Sequence, residues 1–73
     1  MIYHSAKSLV GCRVNLHFGD GSSLVYVLVK RIVKTAYSYD LICEANSSQF
    51  TIPIESIVGA TKVHTGLVEV SFW

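Results

Sequence analysis

The chain reads VGCRVNLHFGDGSSLVYVLVKRIV over residues 10–33, and the other predicted elements are arranged around this segment. Over residues 10–18 every even position is apolar and every odd position is polar or glycine, which is the period of a strand with one buried face. Residues 19–22, Gly-Asp-Gly-Ser, offer glycines for the positive φ angles of a tight hairpin. The sequence therefore predicts that residues 10–18 and 23–34 pair as antiparallel strands.

The second predicted strand, residues 23–34, is long and apolar on both faces. Such a strand suits a small barrel, in which one strand bends to serve both halves of the sheet. A barrel interior cannot hold the side chains of both faces. We expect the inward face to carry Leu24, Tyr26, Leu28 and Ile32. The outward face then carries Val25, Val27 and Val29. Because an exposed valine forgoes about 1.5 kcal/mol or more relative to burial, these valines are predicted to form an interface between copies of the chain.

Four further strands are predicted, over residues 39–45, 49–52, 58–64 and 67–73. The segments between them are a loop at 35–38, turns at 46–48 and 65–66, and a single 3₁₀ turn at 54–57. Pro53 indicates that the fourth strand ends at an edge or a break of the sheet.

The sequence gives a separate prediction for each end of the chain. Ser5 is a candidate N-cap for a short helix over residues 6–9, with Ile2 and Leu9 over one end of the core. The terminal aromatic pair, Phe72 and Trp73, is expected to close over the open end of the barrel or to reach into a partner. The predicted fold class is all-β, with one domain over residues 1–73. That domain is a small, strongly bent antiparallel barrel of five to six strands with a short N-terminal helix.

The composition indicates a small core and few charges. Of the 73 residues, 51% are hydrophobic and 15% are charged, whereas about 25% of an ordinary globular chain is charged. A chain of this size needs polar surface, so the shortage of charge predicts a homo-oligomer that covers apolar side chains. The formal net charge of +1 provides no global field toward nucleic acid or an anionic membrane.

The sequence predicts a cytoplasmic protein without metal, cofactor or catalytic centre. No basic start with an apolar run marks a secretory signal, and no apolar segment approaches about 18 residues. Cys12 and Cys43 are expected as reduced thiols, and they lack metal-ligand spacing. The histidines fall on three different predicted elements, which disfavours zinc, and no serine lies in a nucleophile elbow. We therefore do not expect an enzyme.

The candidate nucleic-acid site is a basic cluster followed by tyrosines. Lys30, Arg31 and Lys34 form the cluster, and Tyr37 and Tyr39 come next in the chain. Cations that neutralise phosphate beside aromatic rings that stack bases are typical of single-stranded RNA binding. The alternative is that these charges keep the end of a strand soluble and unpaired.

The order of the predicted elements resembles the Sm-like branch of the SH3-type barrels. Residues 14–21, VNLHFGDG, are similar to the first hairpin of Sm and Hfq proteins, and residues 49–57, QFTIPIESI, resemble their closing strand and turn. Subunits of Sm-like rings join strand edge to strand edge, so the resemblance implies an oligomeric RNA-binding protein as one function. Where Hfq carries a Lys-His pair this chain has Thr51-Ile52, so no RNA-binding residue is carried over.

The Rof family, small Sm-like proteins that bind and inhibit the transcription terminator Rho, is similar over more of the chain. Its strand order, with an Asp-Gly turn and a long second strand, follows residues 14–70, and the trailing strand is similar to GLVEV at residues 66–70. This resemblance implies a non-catalytic interaction module that binds a protein of transcription or RNA metabolism.

Overall fold

The structure, a computed structural model, describes residues 1–64 and 67–71. One short helix and six strands follow each other along the chain, with a 3₁₀ turn at Ile54–Ser56 before the fifth strand. Their bounds are α1 (Tyr3–Lys7), β1 (Arg13–Phe18), β2 (Ser23–Lys34), β3 (Tyr39–Ala45), β4 (Ser48–Pro53), β5 (Ile57–His64) and β6 (Leu67–Ser71). The predicted turn at Thr65-Gly66 and the predicted role of Phe72 and Trp73 lie outside the described residues.

The six strands form one antiparallel sheet in the order β4-β3-β2-β1-β5-β6. Strand β2 pairs with β1 over residues 23–28 and with β3 over residues 28–34, so one long strand serves both halves of the sheet, as predicted. The sheet is barrel-like but not closed, because β4 and β6 lie at its two ends. The predicted all-β class is confirmed.

The first hairpin forms where the sequence predicts it. Within the turn, Gly21 takes the positive φ of 90°, and Phe18 and Ser22 are joined by a backbone hydrogen bond of 2.9 Å. The first strand begins at Arg13 rather than at residue 10, because Gly11 has a φ of 85° and leaves the extended conformation. Val10 is consequently 41% exposed.

Two bulges interrupt the alternation of β2. In the pairing with β1, residues 24–27 of β2 lie opposite residues 14–16, so β2 carries one extra residue there. In the pairing with β3, residues 29–31 of β2 lie opposite residues 42–43. Each extra residue reverses the face on which the following side chains lie. The side chains that reach the inner face are therefore Leu24, Val27, Val29 and Ile32.

The predicted oligomer interface is corrected by these bulges. Val27 and Val29 are 2% and 0% exposed and belong to the core, while Val25 is 68% exposed. Tyr26, expected inward, is 57% exposed, and Leu28 is half-buried. Of the three valines, only Val25 is available to a second copy while the domain is folded.

The inner face of the sheet is closed by the N-terminal segment and the 3₁₀ turn. The fully buried side chains include Leu9, Leu16, Leu41 and Ile57, each 0% exposed. The expected helix is present, but its bounds and cap differ from the prediction, since Ile2 is the N-cap without a side-chain hydrogen bond and Ser5 lies inside the helix. Ile2 was expected over the core and is 69% exposed.

Candidate functional site

The predicted basic cluster lies on β2, but the register divides it between two faces. Lys30 is in the second bulge and pairs with Glu44 at 3.2 Å. Arg31 lies opposite Ile42 on the outer face, whereas Lys34 lies opposite Tyr39, whose ring packs against the core. One of the three cations is thus neutralised and the other two lie on different faces of the sheet.

The two tyrosines of that prediction are also separated. Tyr37 is 99% exposed at the tip of the β2-β3 loop. Tyr39 is half-buried and its ring stacks on that of Tyr3 in α1, with centroids 4.4 Å apart and planes inclined by 36°. The structure therefore does not bring the five predicted RNA-binding residues together as one surface.

The first bulge of β2 holds an exposed aromatic ring that the sequence pattern predicts on the inward face. Tyr26 has a φ of 55°, a conformation rare for bulky residues and costing about 1–3 kcal/mol. Two side chains of β1 hold it there. Asn15 Oδ1 accepts the Tyr26 N–H at 2.8 Å, and the Arg13 guanidinium donates to the Tyr26 carbonyl at 3.3 Å and lies 5.0 Å from the centre of the ring.

The polar row of β1 consists of Arg13, Asn15 and His17. The three side chains lie on the outer face of the sheet, because Val14 and Leu16 between them are 0% exposed in the core. Nδ1 of His17 is 3.0 Å from Ser23 Oγ on β2. The period-2 pattern predicts this row as the polar face of a strand, but nothing in the sequence indicates that two of its members hold a bulge in the neighbouring strand.

Exposed apolar side chains flank the C-terminal end of β1, and we call Val25 and Val58 the hairpin patch. Their exposed fractions are 68% and 59%. Val25 lies within the first bulge of β2, while Val58 lies in an irregularity of the β1-β5 pairing. The two flanking strands are about 10 Å apart across β1, which places the patch within the reach of one partner surface.

An open groove of about 470 Å³ adjoins the hairpin patch beside β5. It is lined by Met1, Ile2, Ser5, Glu55, Ile57 and Val58. The Met1 ammonium group donates hydrogen bonds to the carbonyl oxygens of Ile54 at 3.2 Å and Ile57 at 2.9 Å. These bonds fix one wall of the groove to the 3₁₀ turn.

The titratable groups of the described residues are dispersed. No three His, Cys, Asp or Glu side chains of residues 1–64 and 67–71 come close enough together to hold a metal ion. Both cysteines are free, with Cys12 half-buried and Cys43 in the core, and burial raises the pKa of the Cys43 thiol to about 11. Within the same residues, no helix has the length and apolar character to cross a membrane.

Comparisons with known proteins identify no relative of this chain. No family model, no curated protein and no solved structure matches the chain. The likeness to Sm-like and Rof proteins stays a prediction from the sequence, and the functional argument depends on the surfaces described above.

Proposed function

We propose that the protein is a non-catalytic interaction module that acts in the cytoplasm on a protein partner of transcription or RNA metabolism. The observation that carries this proposal is the hairpin patch. Val25 and Val58 are both more than half exposed although buried positions exist on the same strands. Exposed apolar side chains that gather at one end of a sheet are typical of protein-binding surfaces.

The first bulge supports the same conclusion. Without the extra residue, the alternation set by Val27 would return Val25 to the inner face. Instead Val25 and Tyr26 face solvent, and the strained backbone between them is held by side chains of β1. Backbone strain that persists because neighbouring groups hold it is concentrated at binding and active sites.

The transcription terminator Rho is the first partner to test, since the Rof resemblance of the sequence implies it. The hairpin patch contains no charged residue, and the net charge of the chain is only +1. We therefore expect the complex to depend on apolar burial and its affinity to change little with salt.

We expect Val25→Ser combined with Val58→Ser to abolish capture of Rho or another RNA-handling protein from a host lysate and to weaken binding of the purified partner at least about 10-fold. Tyr37→Ser is the matched control, because Tyr37 is 99% exposed but lies in the β2-β3 loop outside the patch. The proposal fails if the wild-type chain captures no protein of transcription or RNA metabolism, or if the control weakens binding as much as the double variant.

Self-association is a separate proposal for the same chain. Light scattering at micromolar concentration should give a mass above the 8.1 kDa of one chain, and Val25→Ser should shift the mass toward the monomer because Val25 is the valine of β2 that remains outside the core. A wild-type mass of one chain over this concentration range would refute the homo-oligomer and the ring form of RNA binding together.

A further inference from the structure

The polar row of β1 presents hydrogen-bonding groups that the fold leaves unused. Arg13 has five N–H donors, of which one reaches the Tyr26 carbonyl. The Asn15 side chain accepts one bond through Oδ1, and its amide donors have no partner among the described residues. Within these residues the ion pair present is Lys30 with Glu44, so the charge of Arg13 is not balanced by a carboxylate at contact distance.

The spacing of the row suits an extended, repeating ligand. Side chains at alternate positions of a strand project from one face about 6.8 Å apart, so Arg13, Asn15 and His17 form a line along β1. A polymer with a polar group in every repeat can follow such a line, and a nucleic-acid backbone carries a phosphate in every repeat. Cations and amides are the side chains that bind phosphate oxygens.

The ring of Tyr26 adds a feature that a purely anionic ligand would not require. It is 57% exposed beside the Arg13 guanidinium, 5.0 Å from it. Because Asn15 and Arg13 hold the backbone of the bulge, the ring is fixed next to the cation before any ligand arrives. An aromatic ring that stacks a base beside a cation that neutralises phosphate is the combination used by single-strand binding proteins.

Acidic groups on the same face do not neutralise the positive charge of Arg13. Glu44 lies in the row of Arg13, separated from it by Leu28 of β2. Its carboxylate is engaged by Lys30 at 3.2 Å. Arg31 and Asp40 both lie on the outer face of the neighbouring strand pair and offset each other, so the positive charge beside Tyr26 is that of Arg13.

We infer that the polar row of β1 and the ring of Tyr26 bind single-stranded nucleic acid, with Arg13 on phosphate and Tyr26 stacked on a base. This site is distinct from the predicted cluster on Lys30, Arg31, Lys34, Tyr37 and Tyr39, and it contains none of the hairpin patch. It does not depend on the proposed protein-binding function.

The test is fluorescence anisotropy of the full chain with labelled oligouridylate and oligodeoxyuridylate of equal length, at salt concentrations between about 50 and 200 mM. Arg13→Ala should weaken binding at least about 5-fold and reduce the slope of log K against log salt by about 0.7, as expected for one lost phosphate contact on a single strand. Tyr26→Ala should weaken binding at least about 5-fold through lost stacking, and Tyr26→Phe should retain it. The two oligomers distinguish a ribose-dependent site from one that accepts either sugar.

Lys34→Ala and Tyr37→Ala are the matched controls, since they remove one cation and one exposed tyrosine elsewhere on the molecule. Thermal melts followed by circular dichroism show whether each variant is folded, and if Tyr26→Ala is unfolded the test rests on the affinity and salt slope of Arg13→Ala. The inference is overturned if the wild-type chain does not bind either oligomer at the lowest salt, or if the controls lose affinity while Arg13→Ala and Tyr26→Ala do not. It is equally overturned if an acidic peptide displaces the oligomers at equal charge concentration, because the site would then recognise anionic protein segments.

Discussion

Val29→Asp is expected to leave the chain unfolded, whereas Val25→Asp is expected to change the free energy of unfolding by less than about 0.5 kcal/mol. Val29 is 0% exposed in the core and Val25 is 68% exposed. An ionised carboxylate in the core has no partner and its burial costs several kcal/mol. Native domains have only about 0.05–0.15 kcal/mol of stability per residue, so this chain has no margin for such a cost. Circular dichroism and amide dispersion in proton–nitrogen NMR spectra distinguish the two variants.

A milder pair of substitutions keeps both proteins measurable. Val29→Ala removes two methyl groups from the core and should lower the free energy of urea unfolding by about 2 kcal/mol, while Val25→Ala should lower it by less than about 0.5 kcal/mol. Measurements at low protein concentration separate this effect from any self-association through Val25. Equal losses at the two positions would contradict the bulge at Tyr26, because an uninterrupted strand places both valines on one face.

The second large effect is a loss of stability at alkaline pH through Cys43. Burial in the core raises the pKa of this thiol from 9.0 to about 11. Below pH 9 the thiol is neutral in both the folded and the unfolded chain, so its full contribution to the free energy of unfolding is present. Between pH 9 and 11 the unfolded chain loses the proton while the folded chain keeps it, so the unfolded state is favoured as the pH rises. The expected loss from this group is about 2 kcal/mol by about pH 10.5.

Urea unfolding in reducing buffer at about pH 8 and about pH 10.5 measures this loss. Cys43→Ala is the control, since it is less stable at both pH values but lacks the thiol. The two proteins differ only at residue 43, so the difference between their pH dependences isolates Cys43. If wild type and Cys43→Ala lose equal stability between the two pH values, the thiol is not protected from ionisation by the core.

Much of the fold follows from short-range pattern. The bounds of β2 and β3 coincide with the predicted residues 23–34 and 39–45, because turn residues delimit both segments. The 3₁₀ turn at Ile54–Ser56 also agrees with the prediction. In each case the side chains alternate or change type within a few residues, so the local pattern determines which face is buried.

The candidate site was not predictable in the same way. Residues 24–29 of β2 are apolar without exception, so a period of two has no polar position by which to detect a reversal of faces. The predicted RNA-binding residues are neighbours in the chain, but the alternation of the strand puts Arg31 and Lys34 on different faces. Proximity in sequence therefore did not become proximity in space.

Turn residues and periodicity within single segments are enough to predict most strand positions along the chain, the first hairpin and the all-β class. The order of the strands in the sheet, the buried face of β2 and the groups that meet at Tyr26 follow only from the folded protein. The reason is that the bulge is maintained from another strand, by the Asn15 carboxamide and the Arg13 guanidinium on the Tyr26 backbone. Such bonds exist only after β1 and β2 have paired, and no residue within β2 encodes them.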